Sequence, residues 1–410
     1  MYSNIIIKTL PIFIFVFALM AAYCSDNGTG PEPDPGLATI DLNDTRQVIR
    51  GFGGVNMPGW IDDMTADQVN NAFGADSSQI GMTILRIRVP IDSTKFDLEV
   101  PTAQLAKSLG AIIIASPWTP PPWMKSNNNI VGGRLNDSAY SAYAAHLKSF
   151  ADCMSSNGVP LYAISIQNEP DVRVSYESCD WNASEMLRFV KENAPSIGIK
   201  IIAPESYNFN HTISDAILND PVAAANVSII GGHIYGGGLA PYPLAVSRRK
   251  EVWMTEHLVV NTDWPGALAT ALEINNCMNA GMSVYLWWYI RRFYGPIDDD
   301  SNITKRGYVI SQFARFIRPG FTRVSATDNP QTDVYVSAYK SGTKMVIVAI
   351  NHASPAIEQT FTIQNGTVAA FTLYVTSRTK NCLQEGDITV SNSSFTATLD
   401  GESVTTFVST

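Results

Sequence analysis

The sequence predicts an α/β protein, a (β/α)8 TIM barrel with a tightly associated antiparallel side β domain. Eight apolar runs separated by helix-like segments occur between residues 47 and 290, which is the number and spacing typical of such a barrel. Runs this apolar predict parallel strands covered by helices on both faces. Near residue 319 the pattern changes to short alternating strands around turn signals, as in "DVYVSAYKSGTKMVIVAI", which indicates an antiparallel sheet.

The elements follow in chain order. The barrel strands are predicted within residues 47–56, 82–90, 111–118, 162–170, 199–206, 227–236, 251–257 and 283–290. The segment "SAYSAYAAHLKSFADCMSSNG" has apolar side chains three or four residues apart and predicts a helix that ends near Gly158. We assign residues 47–318 to the barrel and 319–410 to the side domain. Residues 37–46 are too strand-like for a linker, so we expect them to join the side sheet.

The first 24 residues are typical of an export signal. Lys8 precedes "PIFIFVFALMAA", an apolar run too short to span a membrane but suited to a signal peptide. Cys24 follows, as in bacterial lipoproteins, but Tyr23 replaces the small residue that precedes such a cysteine, so lipidation and simple cleavage both stay open. Residues 25–36 are rich in Gly and Pro and predict a flexible tether. We expect an exported protein, secreted or lipid-anchored at the bacterial outer membrane or cell surface through Cys24.

Charge and composition argue against a nucleic-acid partner and favour a neutral ligand. A net charge of −9 gives no electrostatic basis for binding nucleic acid. Charged residues make up 16% and aromatic residues 10%, which favours a neutral, stacking ligand. The remaining cysteines form no CxxC motif. One disulfide among them is possible, but the sequence does not indicate which pair would form it. They are Cys153, Cys179, Cys277 and Cys382. We expect a monomer with no metal and no cofactor.

Two acidic residues lie at ends of predicted barrel strands. Glu169, in "YAISIQNEPD", closes the fourth run, and Glu256, in "EVWMTEH", closes the seventh. Catalytic groups of such barrels lie at the carboxyl ends of the strands. Cleavage of a glycosidic bond needs one acid to protonate the leaving oxygen and one carboxylate to trap the sugar, about 5–5.5 Å away in a retaining enzyme. We assign Glu169 as acid/base and Glu256 as nucleophile.

Other strand-end residues suit the same chemistry. Asn168 could bind the sugar 2-hydroxyl, a contact that strengthens in the transition state. Arg86 and Arg88 share one face of the second strand, and either could pair with Glu256 and keep it ionised. Aromatic side chains that could stack on the apolar faces of sugar rings are Trp60, Trp118, Tyr207, Tyr235, Trp288 and Tyr289.

Each of these signals has a plain structural alternative. A lone Asn-Glu-Pro or strand-end glutamate is weak evidence, and only the pairing on the fourth and seventh strands makes it strong. Glu205 is a rival carboxylate that we interpret as polar scaffold, and we interpret His233 and His257 as structural. The loop "SPWTPPPWMK" could be a rigid proline loop, but its two tryptophans favour a sugar platform.

Six motifs in order resemble glycoside hydrolase family 30, specifically the glucuronoxylanases of its subfamily 8. They are "GFGGVN", "ILRIRVP", "SPWTPPPWMK", "IQNEPD", "WMTEH" and "WWYIRRFYGPI". The resemblance implies a retaining endo-β-1,4-xylanase that cuts xylan at a position set by a 4-O-methylglucuronic acid branch. It places the family's uronate-binding arginine at Arg292, with Trp288, Tyr289 and Tyr294 around the branch.

The chain departs from the family near the nucleophile. Leu258 stands where the family usually has a tyrosine, and Asn261 where it has a serine that contacts the uronate. Leucine cannot donate a hydrogen bond, so we expect a weakened branch requirement.

Alternatives within the family are a β-1,6-glucanase, a β-glucosidase and a xylobiohydrolase, or a xylanase not dependent on glucuronate. The tandem Arg291-Arg292 argues against the first two. From a different class, a non-catalytic surface glycan-binding protein also fits, although the presence of both glutamates speaks against it.

Overall fold

A computed structural model describes residues 36–410. The predicted signal peptide, Cys24 and all but the last residue of the predicted tether lie outside these residues. Along the described part of the chain, no helix is long and apolar enough to cross a membrane.

The barrel forms from the eight predicted apolar runs. Strand β1 (Leu37–Val48) belongs to a second sheet, and the next eight strands close in chain order into a parallel barrel. They are β2 (Gly51–Val55), β3 (Ile84–Arg88), β4 (Ile112–Ser116), β5 (Ala163–Ser165), β6 (Lys200–Ile202), β7 (Ile229–His233), β8 (Glu251–His257) and β9 (Val284–Tyr289). Each lies inside its predicted run, so the predicted barrel is confirmed.

Helices follow every barrel strand. They are α1 (Ala66–Phe73), α2 (Val100–Ser108), α3 (Tyr140–Ser156), α4 (Ala183–Glu192), α5 (His211–Asn219), α6 (Pro221–Asn226), α7 (Pro243–Ser247), α8 (Trp264–Asn279) and α9 (Lys305–Ala314). Thr65 and Asn182 are the N-cap residues of α1 and α4, and each forms a capping box. The capping boxes satisfy backbone N–H groups that the first turn of a helix leaves without a partner. Short 3-10 turns lie at Ser93–Glu99, Pro122–Met124, Asp137–Ala139 and Ala194–Ile197.

Close packing at the centre of the barrel explains a glycine of the first motif. A Cβ built at Gly53 would lie 1.8 Å from the carbonyl oxygen of Ile84 on the neighbouring strand. Deeper in the barrel, Ile114, Ile202 and Trp253 pack around the axis and are fully buried. These apolar side chains fill the interior, so the polar side chains collect at the strand ends.

The side domain is a nine-stranded sheet. Its later strands are β10 (Thr322–Ala326), β11 (Val334–Ser341), β12 (Lys344–Asn351), β13 (Ile357–Gln364), β14 (Ala370–Thr376), β15 (Leu383–Thr389), β16 (Ser394–Leu399) and β17 (Ser403–Ser409). The strand order is β15-β14-β17-β12-β11-β10-β1-β13-β16. β1 pairs antiparallel with β10 and parallel with β13, so one pair departs from the antiparallel pattern. The buried core of this domain includes Phe361, Phe371, Phe395 and Phe407.

One hydrophobic cluster joins the barrel helices to the side sheet. Tyr339 and Val404 of the side sheet are fully buried within the same apolar cluster as the barrel helices. Trp264 Nε1 donates to the carbonyl oxygen of Glu402 at 3.1 Å, and Thr406 Oγ1 donates to that of Gln312 at 2.8 Å. The side sheet therefore stabilises helices α8 and α9, which follow the last two barrel strands.

The cysteines of residues 36–410 are free thiols. They are Cys153, Cys179, Cys277 and Cys382. The disulfide that the sequence left open is therefore not formed among these four.

Candidate active site

Glu169 and Glu256 face each other at the carboxyl end of the barrel. Glu169 lies four residues beyond β5, and Glu256 is the penultimate residue of β8. Both are more than 90% buried. A side-chain oxygen of each, together with a ring nitrogen of His233, forms a group in which all atoms lie within 4.8 Å of one another. This separation suits a retaining glycosidase, which needs carboxyl groups about 5–5.5 Å apart.

Local backbone irregularities aim these two side chains. The pairing of β8 with both neighbouring strands shifts register near Glu256, and such bulges redirect side chains next to active sites. Glu169 has a positive φ of 46°, and Glu205, whose carbonyl accepts the Glu169 N–H at 3.0 Å, has a φ of 63°. Non-glycine residues rarely adopt this conformation, so the surrounding fold holds both residues in place.

Arg86 joins the polar groups on the barrel floor. Its guanidinium is fully buried and donates to Glu256 Oε2 at 2.7 Å and to Asn168 Oδ1 at 2.7 Å. It also donates to Ser116 Oγ at 3.1 Å and lies 3.1 Å from Glu205 Oε1. A buried arginine shared by two carboxylates compensates charge that would otherwise be costly to bury.

His233 connects the two acids. Its Nδ1 lies 2.9 Å from Glu169 Oε1 and 3.9 Å from Glu256 Oε1, and its Nε2 lies 4.0 Å from Glu205 Oε1. Burial opposes a charge on this imidazole, but the surrounding carboxylates outweigh burial and raise the pKa of His233 to about 9. His233 is therefore a second buried cation at neutral pH.

The same charges act on the carboxylates. Burial disfavours ionisation of Glu205, but Arg86 and then His233 outweigh it and hold the pKa of Glu205 at about 2. Burial raises the pKa of Glu256 above its ordinary value, and His233 and Arg86 oppose that effect. Tyr235 donates to Glu256 Oε1 at 3.0 Å. Burial, and then the charge of Glu256, raises the pKa of Tyr235, so its hydroxyl stays protonated.

A cleft of about 480 Å³ opens above the two acids. It is lined by Trp60, Trp118, Glu169, Tyr176, Tyr207, Tyr235, Glu256, Leu258, Trp288 and Tyr289. All six aromatic residues chosen from the strand ends therefore lie together in its wall. Trp118 packs against Trp60 and Trp288, with ring centroids 5.6 and 5.8 Å apart. Flat aromatic walls beside a carboxylate pair suit a pyranose ring.

Besides Arg86, four sequence-predicted candidates lie outside this lining. Arg88 does not contact Glu256 but pairs with Glu177 and lies over the Trp60 ring, 5.1 Å from its centroid. Arg292 lies 5.8 Å from the Tyr289 ring centroid, and no carboxylate between residues 36 and 410 pairs with it. Tyr294 is buried and packs against Phe293. Asn168 accepts from Arg86 through Oδ1 and lacks a protein acceptor for its Nδ2 within the described chain.

The sequence interpretation missed Tyr176. Its hydroxyl donates to Glu169 Oε2 at 3.0 Å, and the residue lines the cleft and is 44% exposed. Tyr176 lies in the loop between β5 and α4, which has no periodic pattern, so only its position shortly after the Asn-Glu-Pro motif could have suggested it. His233 and Glu205, interpreted as structural and scaffold residues, contact the central residues of the site directly.

Glu169, His233 and Glu256 are close enough to hold a metal ion. Cleavage by two carboxylates does not need one, and Arg86 already supplies positive charge to Glu256. The expected absence of a metal stays a prediction.

Two carboxylates at this separation, facing an aromatic cleft, define a glycoside hydrolase. The chain belongs to glycosyl hydrolase family 30, so the resemblance of its motifs is confirmed. Residues 89–252 match the family model described as "Glycosyl hydrolase family 30 TIM-barrel domain". Over 98% of both chains, the sequence is 44% identical to a protein from Bacillus subtilis named "Glucuronoxylanase XynC".

Solved structures agree with this assignment. The family 30 subfamily 8 xylanase Xyn30A from Clostridium acetobutylicum is 40% identical, with a TM-score of 0.87, covering 91% of this chain and 99% of that one. A family 30 endoxylanase from Clostridium papyrosolvens is 39% identical, with a TM-score of 0.84 and the same coverage.

Proposed function

We propose that the protein is a retaining endo-β-1,4-xylanase that cleaves glucuronoxylan, with Glu169 as acid/base and Glu256 as nucleophile. The observation that carries this proposal is the approach of the two buried carboxylates beneath the aromatic cleft. The spacing leaves no room for a water molecule in line between a nucleophile and the sugar, as an inverting enzyme requires.

In the first step, Glu256 attacks the anomeric carbon while Glu169 gives its proton to the leaving glycosidic oxygen. The bond to that oxygen breaks, and a covalent glycosyl ester forms on Glu256. Arg86 and His233 support this step because their positive charges oppose the effect of burial, which raises the pKa of Glu256. Tyr235, a donor to Glu256 Oε1, orients the carboxylate.

In the second step, Glu169 takes a proton from a water molecule that attacks the same carbon, and Glu256 leaves with the bonding electrons. Two inversions give net retention of the anomeric configuration. Asn168 is held by Arg86 through its carbonyl oxygen, which leaves its amide N–H groups to bind the sugar 2-hydroxyl. That contact strengthens in the transition state.

Xylan is the substrate best supported, because full-length relatives at about 40% identity carry xylanase names. A charged branch on the chain would find a partner in Arg292. Its guanidinium lies beside the cleft residue Tyr289 and, within residues 36–410, has no carboxylate partner. A guanidinium fork suits a uronate carboxylate.

Leu258 is expected to weaken this branch requirement. It lines the cleft, and its side chain offers no hydrogen bond to a carboxylate. A missing hydrogen bond to a charged group is worth about 1–3 kcal/mol. We therefore propose an enzyme that prefers glucuronoxylan but accepts undecorated xylan more readily than relatives with a tyrosine at this position.

The test is reducing-sugar release from glucuronoxylan and from linear xylan, with products read by mass. We expect internal cleavage by the wild-type protein, a retained anomeric configuration by NMR, and no release by Glu256→Gln. Products of one length would favour a xylobiohydrolase, and equal rates on the two polymers would remove the branch hypothesis. No release by the wild type would favour a glycan-binding protein.

We also propose export, supported by Lys8 and the apolar run after it. Labelling cells with a fatty acid would separate lipidation at Cys24 from simple cleavage, because only a lipoprotein would carry the label.

A further inference from the structure

A second cavity lies at the opposite end of the barrel from the catalytic residues. Its volume is about 930 Å³, against about 480 Å³ for the catalytic cleft. The barrel contributes the amino end of β8 and the segments just before β2 and β9 to its wall. The side sheet contributes strands β1 and β10. The cavity is therefore built at the junction of the two sheets. β8 runs from one site to the other, about 17 Å between Glu251 and Glu256 at ~3.3 Å per residue.

Positive charge dominates this cavity. Its lining contains five cationic side chains and two carboxylates: Arg46, Arg50, Arg249, Lys250, Arg323, Glu251 and Asp328. The protein as a whole has a net charge of −9, so this concentration of cations runs against its overall charge. A concave site of one sign focuses its field and attracts ions of the opposite sign.

Within the described chain, three of these five cations are paired, Arg46 with Asp44, Arg50 with Glu251 and Arg323 with Asp328, and two are not. Glu251 is fully engaged, since Oε1 accepts from Arg50 at 2.7 Å and Oε2 accepts from Trp253 Nε1 at 2.9 Å. Across residues 36–410, Arg249 and Lys250 have no side-chain partner. Burial lowers the pKa of Lys250, which reflects an ammonium that is partly removed from water without an opposite charge.

Arg323 adds a buried donor to the same wall. Arg323 is only 6% exposed. Its Nε donates to Asn279 Oδ1 at 2.9 Å, and its Nη2 lies 3.2 Å from Asp328 Oδ1. Its Nη1 has no partner elsewhere in the described chain. A buried guanidinium with a free N–H pair at a cavity is a ready donor to a carboxylate.

We propose that this cavity is a second, non-catalytic site that binds an acidic oligosaccharide through its carboxylate, such as a uronate-bearing xylan fragment. The sugar assignment rests on the proposed function. The lining contains no aromatic side chain, so recognition depends on charge and on the hydroxyl and amide groups of Thr45, Ser283 and Asn279. A neutral oligosaccharide would gain little there. Because the site opens on the far end of the barrel, it holds the enzyme on a charged polymer while the cleft stays free.

The experiment compares binding of aldotetraouronic acid and of neutral xylotetraose by isothermal titration calorimetry. All proteins carry Glu256→Gln so that nothing is hydrolysed. The cavity variant adds Arg249→Asn and Lys250→Gln; asparagine tolerates the positive φ of 58° at position 249. The control variant adds Arg248→Gln and Lys107→Gln, which remove the same charge at exposed positions outside the cavity lining.

We expect two binding events for aldotetraouronic acid in the Glu256→Gln protein and in the control variant. In the cavity variant, one event should weaken at least tenfold, and xylotetraose binding should not change. Equal acid binding by the cavity and control variants would overturn the proposal. Inorganic sulfate that binds the cavity as tightly as the oligosaccharide would overturn its assignment to a sugar.

Activity separates this proposal from the catalytic one. With Glu256 restored, the Arg249→Asn/Lys250→Gln protein should cleave short neutral xylooligosaccharides at the wild-type rate, which also shows that it folds. If the wild type cleaves no xylan yet still shows cavity-dependent acid binding, the proposed function fails and the anion site stands.

Discussion

Arg86 Nη1 donates to Glu256 Oε2 at 2.7 Å, in an ion pair whose side chains are 0% and 8% exposed. The pair spans the barrel between β3 and β8, and Glu205 lies against the same guanidinium. Removal of the arginine would leave the two buried carboxylates without the cation that contacts both of them most closely, with His233 at 3.9 Å from Glu256 and 4.0 Å from Glu205. Arg86 therefore contributes both to the stability of the barrel and, together with His233, to the ionisation of the nucleophile.

Arg86→Met should destabilise the protein by about 3–5 kcal/mol, the usual cost of leaving a buried charge without its partner. The measurement is urea unfolding followed by tryptophan fluorescence. Arg88→Met is the matched control on the same strand, because Arg88 pairs with Glu177 at the rim, where the side chains are 11% and 14% exposed. We expect the control to cost less than half as much. Equal costs would contradict a central role for Arg86.

Glu169→Gln should lower kcat on glucuronoxylan by about 10²–10⁴-fold, because the sugar leaving group needs a proton from a general acid. A dinitrophenyl β-xylobioside needs no such proton, so bond cleavage on that substrate should stay near the wild-type rate in pre-steady-state bursts. Glu256→Gln is the control and should be inactive on both substrates. An aryl substrate that is cleaved no better than xylan by Glu169→Gln would assign the acid to another residue.

Stability should fall on the alkaline side because of His233. Its pKa is about 9 in the folded protein against about 6.5 in an unfolded chain. The contribution of its charge is therefore complete below pH 6.5 and is lost as the pH rises through 9, a loss on the order of 3 kcal/mol. Unfolding free energies of the wild type at pH 6 and pH 9.5 should show it. His233→Gln should lack this loss, while His352→Gln, at an exposed position, should keep it.

Arg292→Gln should lower kcat/KM on glucuronoxylan about 10–100-fold, the value of a lost hydrogen bond to a charged group, and leave linear xylan unaffected. Arg291→Gln is the neighbouring control. Arg291 Nη2 donates to the carbonyl oxygen of Asp62 at 2.8 Å and Nη1 contacts Asp299 at 3.3 Å, so its loss should lower the melting temperature without changing substrate preference. The reverse pattern would place the uronate on Arg291.

Leu258→Tyr should raise the preference for glucuronoxylan over linear xylan about 5–100-fold, since it restores a hydrogen-bond donor worth about 1–3 kcal/mol. Leu258→Phe adds the same ring without the hydroxyl and is the control. The ratio of kcat/KM on the two polymers is the measurement. A similar rise for both variants would indicate ring stacking instead of a hydrogen bond.

Much of the architecture could be read from the chain because parallel barrel strands are apolar on both faces and helices are periodic. The sequence could not identify which arginine pairs with Glu256, because Arg86 and Arg88 lie on the same face of β3. Only depth in the barrel separates them, with Arg86 at the floor and Arg88 at the rim. Tyr176 was missed because loops carry no periodic signal. The parallel pairing of β1 with β13 was missed because the alternation of apolar and polar residues does not indicate the direction of a partner strand.

The position of β1 in the side sheet affects how the protein folds. Ile40 pairs with Ala326 on one side and Ile363 on the other, so the earliest strand waits for partners from the last quarter of the polypeptide. Pairing between such distant segments slows folding. The side sheet cannot be completed until the last strands have been synthesised. Because β1 pairs with strands that follow residue 320, a protein truncated near that position should be insoluble and should not form an independent catalytic barrel.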